Sequence, residues 1–291
     1  MLLAVCIVFW ITAFSISWKN TLPSLLLCIF NAVLLSRVCF RVNITRNFSL
    51  LPAIICFLPF SVLPQITSMW QTQLLGLAML LVSMQLLDIY RADAAVNEVF
   101  VATVIFSLSA LITPETLLLI AVLILYMIIQ QSFNIKVLLA ICIAIALCAV
   151  YYFLQQHLLS SPLTINWEVF IERKFINFQS GVTQFVFTIT IAALYVIFDF
   201  VLFIGFSSYN IHSQSFLVYF SLPVFILLPL ILYKSEDISP IIGMLIASMG
   251  ALASQFFYRK QSIATGVVLL LYLSVFIGLG VFNIIYTNFN F

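Results

Sequence analysis

The sequence predicts an all-α fold, a polytopic bundle of transmembrane helices, and three observations carry that prediction. Of 291 residues, 65% are hydrophobic and only 7% are charged, against about 25% charged in an ordinary soluble domain. Mean hydropathy is +1.25. The apolar residues also fall in runs near the roughly 20 residues that a hydrocarbon core of about 30 Å requires. A chain so poor in charge could not cover a water-facing surface. That excludes a soluble enzyme, a nucleic-acid-binding module and a disordered chain. The net charge of +2 is too small to select an anionic partner.

The runs mark eleven spans, with nine to eleven as the range because several joins are tight. They are Leu2–Ser17, Leu22–Phe40, Phe48–Ile66, Leu74–Tyr90, Val96–Ile112, Leu117–Phe133, Val137–Leu154, Val182–Phe206, Phe216–Tyr233, Ile238–Phe257 and Ile263–Tyr286. The third run holds Pro52, Pro59 and Pro64. Each removes a helix donor, so this run is expected to be broken or re-entrant, buried among its neighbours. The chain reads as one integral membrane domain over residues 1–291, with its longest loop at residues 155–181. Around Asn166–Phe178, Trp167, Phe170, Ile171, Phe175 and Phe178 recur at helical spacing, opposed by Glu168, Glu172 and Gln179. That pattern predicts an amphipathic helix lying in the membrane interface; a lid over a cavity is the alternative.

Basic residues near span ends set the orientation. With eleven spans the even-numbered loops hold Arg37, Arg41, Arg46, Arg91, Lys136, Arg259 and Lys260, and the odd-numbered loops hold Lys19, Arg173, Lys174 and Lys234. The excess places the even loops and the N-terminus in the cytoplasm. Met1-Leu2-Leu3-Ala4 lacks a basic n-region, so the first run reads as a span and not as a cleaved signal. The bacterial inner membrane is the expected location.

Asp199 is the acid placed well inside a span, within Tyr195-Val196-Ile197-Phe198-Asp199-Phe200. A carboxylate there is costly unless paired or wet, which makes it a functional candidate. The alternative is a hydrogen-bonded packing residue. Asp88, Arg91, Asp93 and Glu98 join the fourth and fifth spans; Asp88 and Arg91, three apart, can pair on one helix face. Thr113-Pro114-Glu115 reads as a helix start, with Thr as N-cap, Pro at the first position and Glu near the positive dipole end. A catalytic acid is the other reading of Glu115. Neither His157 nor His212 has a spaced partner, and no cysteine of the six forms a C-x-x-C pair. No metal or cofactor is therefore expected. The sequons at Asn43 and Asn47 fall on the cytoplasmic side, and no P-loop, G-x-G-x-x-G, G-x-S-x-G or H-E-x-x-H motif is present. Gly243, Ala247 and Ala251 repeat every four residues, as do Ala140, Ala144 and Cys148. Such faces let helices approach closely.

The segment from Leu86-Leu87-Asp88-Ile89-Tyr90-Arg91 through Thr113-Pro114-Glu115 to Tyr151-Tyr152-Phe153-Leu154 resembles an uncharacterised family of polytopic inner-membrane proteins from Bacteroidota. The match covers roughly Phe48–Leu154 and implies no activity. Ser107-Leu108-Ser109-Ala110-Leu111-Ile112-Thr113-Pro114 is similar to the span–turn–span rhythm of GT-C glycosyltransferases, which use polyprenyl-linked sugars. Those enzymes carry an acid in a sizeable first outer loop, whereas here that loop is Trp18-Lys19-Asn20. The resemblance implies a GT-C-like membrane protein that acts on, or assists with, lipid-linked envelope glycans, and the missing acid speaks against transferase activity. Two other readings stay open. One is a secondary transporter or flippase, from the proline-interrupted runs at Pro52/Pro59 and Pro223/Pro229. The other is a non-catalytic subunit of a membrane complex. Membrane lipid is the expected partner in each; a polyprenyl-linked glycan or other membrane subunits follow from the particular reading. Nucleic acid follows from none.

Overall fold

In lipid every backbone N–H and C=O must find a partner inside the protein, and the described residues answer mainly with helix. The computed structural model describes residues 2–42, 44, 49–62, 66, 69–87, 89, 95–158, 182–233, 240–259 and 263–289. These form α1 (Leu2–Arg41), α2 (Leu51–Ser61), α3 (Trp70–Leu86), α4 (Val96–Ser109), α5 (Leu118–Ile129) and α6 (Ile135–Leu158). There follow α7 (Val182–Ile204), α8 (Ile211–Ser221), α9 (Val224–Tyr233), α10 (Ile242–Arg259) and α11 (Ile263–Phe289). Short 3₁₀ turns at Pro114–Leu117 and Phe206–Ser208 precede α5 and α8.

The architecture is a membrane-helix bundle built around α10. Every residue of α10 from position 242 to position 255 is buried, because α3, α7 and α2 pack along it and α1, α8, α9 and α11 also reach it. A helix apolar on all sides is a buried helix. Its small residues set how near the neighbours come. A Cβ at Gly243 would run into the carbonyl oxygen of Thr72 on α3. Across the same contact a Cβ at Gly76 would stand 3.0 Å from the Gly243 carbonyl oxygen and 2.9 Å from the ring of Phe60. Ala247 and Ala251 continue that buried stripe, while Ala140, Ala144 and Cys148 form the buried face of α6, which packs on α4.

Cross-helix hydrogen bonds define a common end of the bundle. Arg41 donates to the Met84 carbonyl at 3.1 Å, Tyr126 to that of Leu86 at 3.1 Å, and Ser132 to that of Ile89 at 2.8 Å. The Gln255 amide faces the Ser213 carbonyl at 3.5 Å. The C-terminal ends of α1, α3, α5 and α10 and the start of α8 therefore meet there, with Arg37, Arg41 and Lys136 exposed. Thr72 and Gly243 mark the opposite end of α3 and α10.

The span count departs from expectation. Among the described residues five stretches are long and apolar enough to cross a membrane: Lys19–Arg41, Ile135–Leu158, Phe185–Ile204, Ile211–Pro229 and Thr265–Phe282. Eleven apolar runs do not make eleven crossings, for two physical reasons. First, the runs read as spans one and two are a single helix. Lys19 and Asn20 are tolerated in a helix, and Pro23 removes only one donor, so the expected loop at Trp18-Lys19-Asn20 is helical. Second, several runs give short helices. At about 1.5 Å per residue, the eleven residues of α2 reach only about half the hydrocarbon thickness. Pro52 opens α2 and Pro59 lies within it; Pro64 lies outside the described residues, as does the expected interfacial helix around Asn166–Phe178.

The contact at Gly243 makes a direct prediction. Gly243→Ala should cost at least about 2 kcal/mol, toward the upper part of the overpacking range, because backbone must move. Gly278→Ala meets nothing within 4 Å and should be neutral or gain up to about 1 kcal/mol. Thermal unfolding of the two purified variants checks this, and equal melting would refute the close approach.

Candidate functional site

Among the described residues, α8, Ile211-His212-Ser213-Gln214-Ser215-Phe216-Leu217-Val218-Tyr219-Phe220-Ser221, buries Ser213, Ser215, Tyr219 and Ser221. Asn210 starts it: the Oδ1 atom accepts the Ser213 N–H at 2.8 Å, satisfying one of the orphan donors of the first turn. Residues 215 to 221 are all buried. Their polar groups reach different neighbours. Ser215 donates to Gln130 Oε1 at 3.1 Å, beyond the end of α5. Tyr219 donates to the Met79 carbonyl of α3 at 3.0 Å, and its ring meets Tyr126 edge-on at 5.6 Å. Ser221 and the Phe220 carbonyl face α7.

That last contact lies where the helix breaks. Pro223 has no N–H, so the Tyr219 carbonyl loses its helical donor. The Leu222 N–H still reaches the Val218 carbonyl at 3.1 Å, whereas the N–H groups of Ile226 and Leu227 fold back on the Pro223 carbonyl at 3.1 and 2.7 Å. The bond that would bridge the break runs from the Val224 N–H to the Phe220 carbonyl. Tyr195 of α7 fills one side of that gap: its hydroxyl donates to the Phe220 carbonyl. A side chain inserted into the ladder in this way is one of the known causes of a sharp helix bend.

Asp199 lies one turn further along α7 and is half-buried. Its carboxyl group meets the Ser221 hydroxyl, and that hydroxyl also lies 2.7 Å from the Leu217 carbonyl oxygen. A serine hydroxyl has one proton. When Asp199 is protonated it donates to Ser221 Oγ, and Ser221 donates on to Leu217; every group is satisfied. When Asp199 is ionised it competes with Leu217 for the single serine proton. The site therefore has two hydrogen-bond arrangements, distinguished by one proton on Asp199.

The other sequence candidates are elsewhere. Glu115 is buried in the 3₁₀ turn Pro114–Leu117 that joins α4 to α5, not beside Asp199. Thr113 precedes that turn in extended conformation but makes no side-chain cap; Thr116 closes the turn instead, donating to the Thr113 carbonyl at 2.9 Å. Asp88, Arg91 and Asp93 lie outside the described residues. Glu98 is half-buried in the first turn of α4, and His157 and His212 are exposed. Among the described residues no group of three His, Cys, Asp or Glu side chains could hold a metal ion. Sequence reasoning singled out Asp199 but passed over Tyr195 and Ser221. The four-residue spacing of Tyr195 and Asp199, aimed at a serine two residues before a proline, was the available signal.

The chain matches no protein-family model, none of the curated proteins and none of the solved structures.

Substitutions separate the roles of these groups. Tyr195→Phe leaves the Phe220 carbonyl without this donor and should destabilise by about 1–3 kcal/mol. Asp199→Asn can still hydrogen-bond Ser221 and should stay within about 1 kcal/mol of the parent, whereas Asp199→Leu should melt lower. Unfolding of the three variants in one detergent checks the order; Tyr195→Phe melting with the parent would contradict this hydrogen bond.

Proposed function

We propose that this multi-pass membrane protein is a secondary transporter or flippase of the bacterial inner membrane, with Asp199 as its proton-responsive group. The contact of Asp199 with Ser221, beside the break between α8 and α9, carries the reading. Discontinuous helices expose backbone groups that can bind and release a solute. An ionisable residue inside a span marks an ion or proton pathway by default. Protonation of Asp199 changes which partner holds the Ser221 proton, so it alters the helix end beside the break.

The buried Glu115 supports a second reading. It sits at the α4–α5 turn, directly after the segment whose rhythm resembles GT-C glycosyltransferases, and a carboxylate there suits a scaffold that handles polyprenyl-linked glycans. Under that reading Glu115→Gln is the damaging change and Asp199→Asn is silent. A chain inert in both tests is the non-catalytic subunit of a membrane complex.

Reconstitution distinguishes these readings. Liposomes containing the chain and fluorescent lipid probes should expose inner-leaflet probe to an external quencher faster than empty liposomes. Asp199→Asn should slow that exposure at least about tenfold, equivalent to about 1.4 kcal/mol on the barrier, while remaining folded. Full activity in Asp199→Asn would sink the transport reading.

We also propose that the end carrying Arg37, Arg41 and Lys136 faces the cytoplasm, by the positive-inside rule. In that orientation an unbroken α1 starts on the outer side. The cytoplasmic N-terminus expected from two crossings in this stretch then gives way to one crossing. Membrane-impermeant thiol labelling of Lys136→Cys in intact cells should fail in a variant without other reactive cysteines. Efficient labelling would reverse the orientation.

A further inference from the structure

A cavity of about 170 Å³ opens between the end of α5 and the start of α8. Its polar lining is Gln130, Gln214 and Ser215, and its apolar walls include Ile129, Phe206 and Ile211. None of these is charged. At about 30 Å³ per water, the space equals roughly five or six waters, the size of one small ring or glycerol-like group.

The hydrogen bonds already made in the lining define what a ligand must offer. Gln130 Oε1 accepts from Ser215, which leaves the Gln130 NH₂ as donor. The Gln214 NH₂ is spent on the carbonyls of Phe206 and Tyr209, each at 3.1 Å, which leaves the Gln214 Oε1 as acceptor. Ser215 Oγ keeps lone pairs. A site with one donor group and two acceptors fits hydroxyls, which both give and receive. It does not fit a phosphate, which only accepts and wants a cation, nor an ammonium, which only donates. Phe206, stacked on Phe203 at 5.4 Å, is an aromatic wall of the cavity. Ile129 and Ile211, which line the cavity, are apolar and exposed, so acyl chains can lie against them while a headgroup enters.

We propose that this cavity binds a small, uncharged, polyhydroxylated group, presented as the headgroup of a neutral lipid. The proposal deepens the transport reading by naming its substrate class and rests on that reading only for movement; binding stands by itself.

The test uses the full chain in phosphatidylcholine nanodiscs, with monoglucosyl diacylglycerol, free glucose and phosphatidylglycerol as probes. Monoglucosyl diacylglycerol should bind saturably and phosphatidylglycerol should not displace it. Gln130→Leu and Gln214→Leu should each weaken binding about tenfold, the loss of one or two hydrogen bonds. Ile211→Trp blocks the mouth from an exposed position without removing a polar lining group. It should abolish binding while leaving the melting temperature of the free protein unchanged. Glucose binding as tightly as the lipid would support the hydroxyl chemistry and assign it to a soluble source. Equal binding of phosphatidylglycerol, or unchanged glucolipid binding in Gln214→Leu and Ile211→Trp, would overturn the proposal. Asp199→Asn should still bind the glucolipid saturably, so a chain that binds but moves no lipid defeats the transport reading and leaves this one standing.

Discussion

A backbone group that loses its helical partner inside a bilayer has no water to turn to. This constraint organises the bundle, and it acts most sharply at Leu222–Pro223. The proline frees the Tyr219 carbonyl, and the bend parts the Phe220 carbonyl from the Val224 N–H. Leaving buried polar groups unpaired costs about 1–3 kcal/mol each, a large fraction of a stability that is typically about 5–15 kcal/mol. The Tyr195 hydroxyl supplies the Phe220 carbonyl with a donor. For it to do so, α7 must run within side-chain reach of the break. Asp199, one turn along α7, is then carried to Ser221 by the same alignment.

The alignment depends in turn on α10, the helix against which α7 and α8 both pack. Its buried stripe of Gly243, Ala247 and Ala251 lets α3 come to backbone contact at Thr72. In lipid no hydrophobic force drives helices together, so close van der Waals packing of small residues has to serve. The contrast with the periphery is chemical. On α6 and α11 large apolar side chains such as Leu139, Ile143, Phe153, Leu270 and Leu271 are exposed, as suits surfaces solvated by acyl chains.

Helix content and membrane class were legible because they depend on run length and on scarcity of charge, which composition states directly. The ends of elements were less so. Val182 was read correctly as the start of α7, but α8 was expected at Phe216 and begins at Ile211. His212, Ser213, Gln214 and Ser215 look like a wet loop in one dimension. In three dimensions Asn210 caps them, and Gln130 and the Gln255 amide meet them from beyond α5 and from α10. Lys19 and Asn20 failed as a loop signal for the converse reason, since two polar residues do not oblige a helix to stop. Crossings were overcounted because a proline-bearing apolar run such as Leu51–Ser61 has the hydropathy of a span without its length. Asp199 stood out by its cost, but its partners could not, because Tyr195 and Ser221 matter only through a bend that their own contacts complete.

The two features of α8 share one rigid element. Ser215 at the cavity and Ser221 at Asp199 are six residues apart, about 9 Å along the helix axis. A ligand hydroxyl that bonds Ser215 competes with Gln130 for that side chain. An ionised Asp199 competes with Leu217 for the proton of Ser221. Each event changes what tethers one end of the same eleven-residue helix, so each alters the position that the other end prefers. A ligand shifts such an equilibrium only by its difference in affinity between the two arrangements. If headgroup binding favours the arrangement with Asp199 protonated, protonation must favour headgroup binding by the same factor, since the coupling of two equilibria is reciprocal. The helix is short, and at Pro223 the ladder between α8 and α9 lacks the donor that the Tyr219 carbonyl would take. Proline is thus both the reason the Tyr219 carbonyl lacks its helical donor and the boundary between α8 and α9.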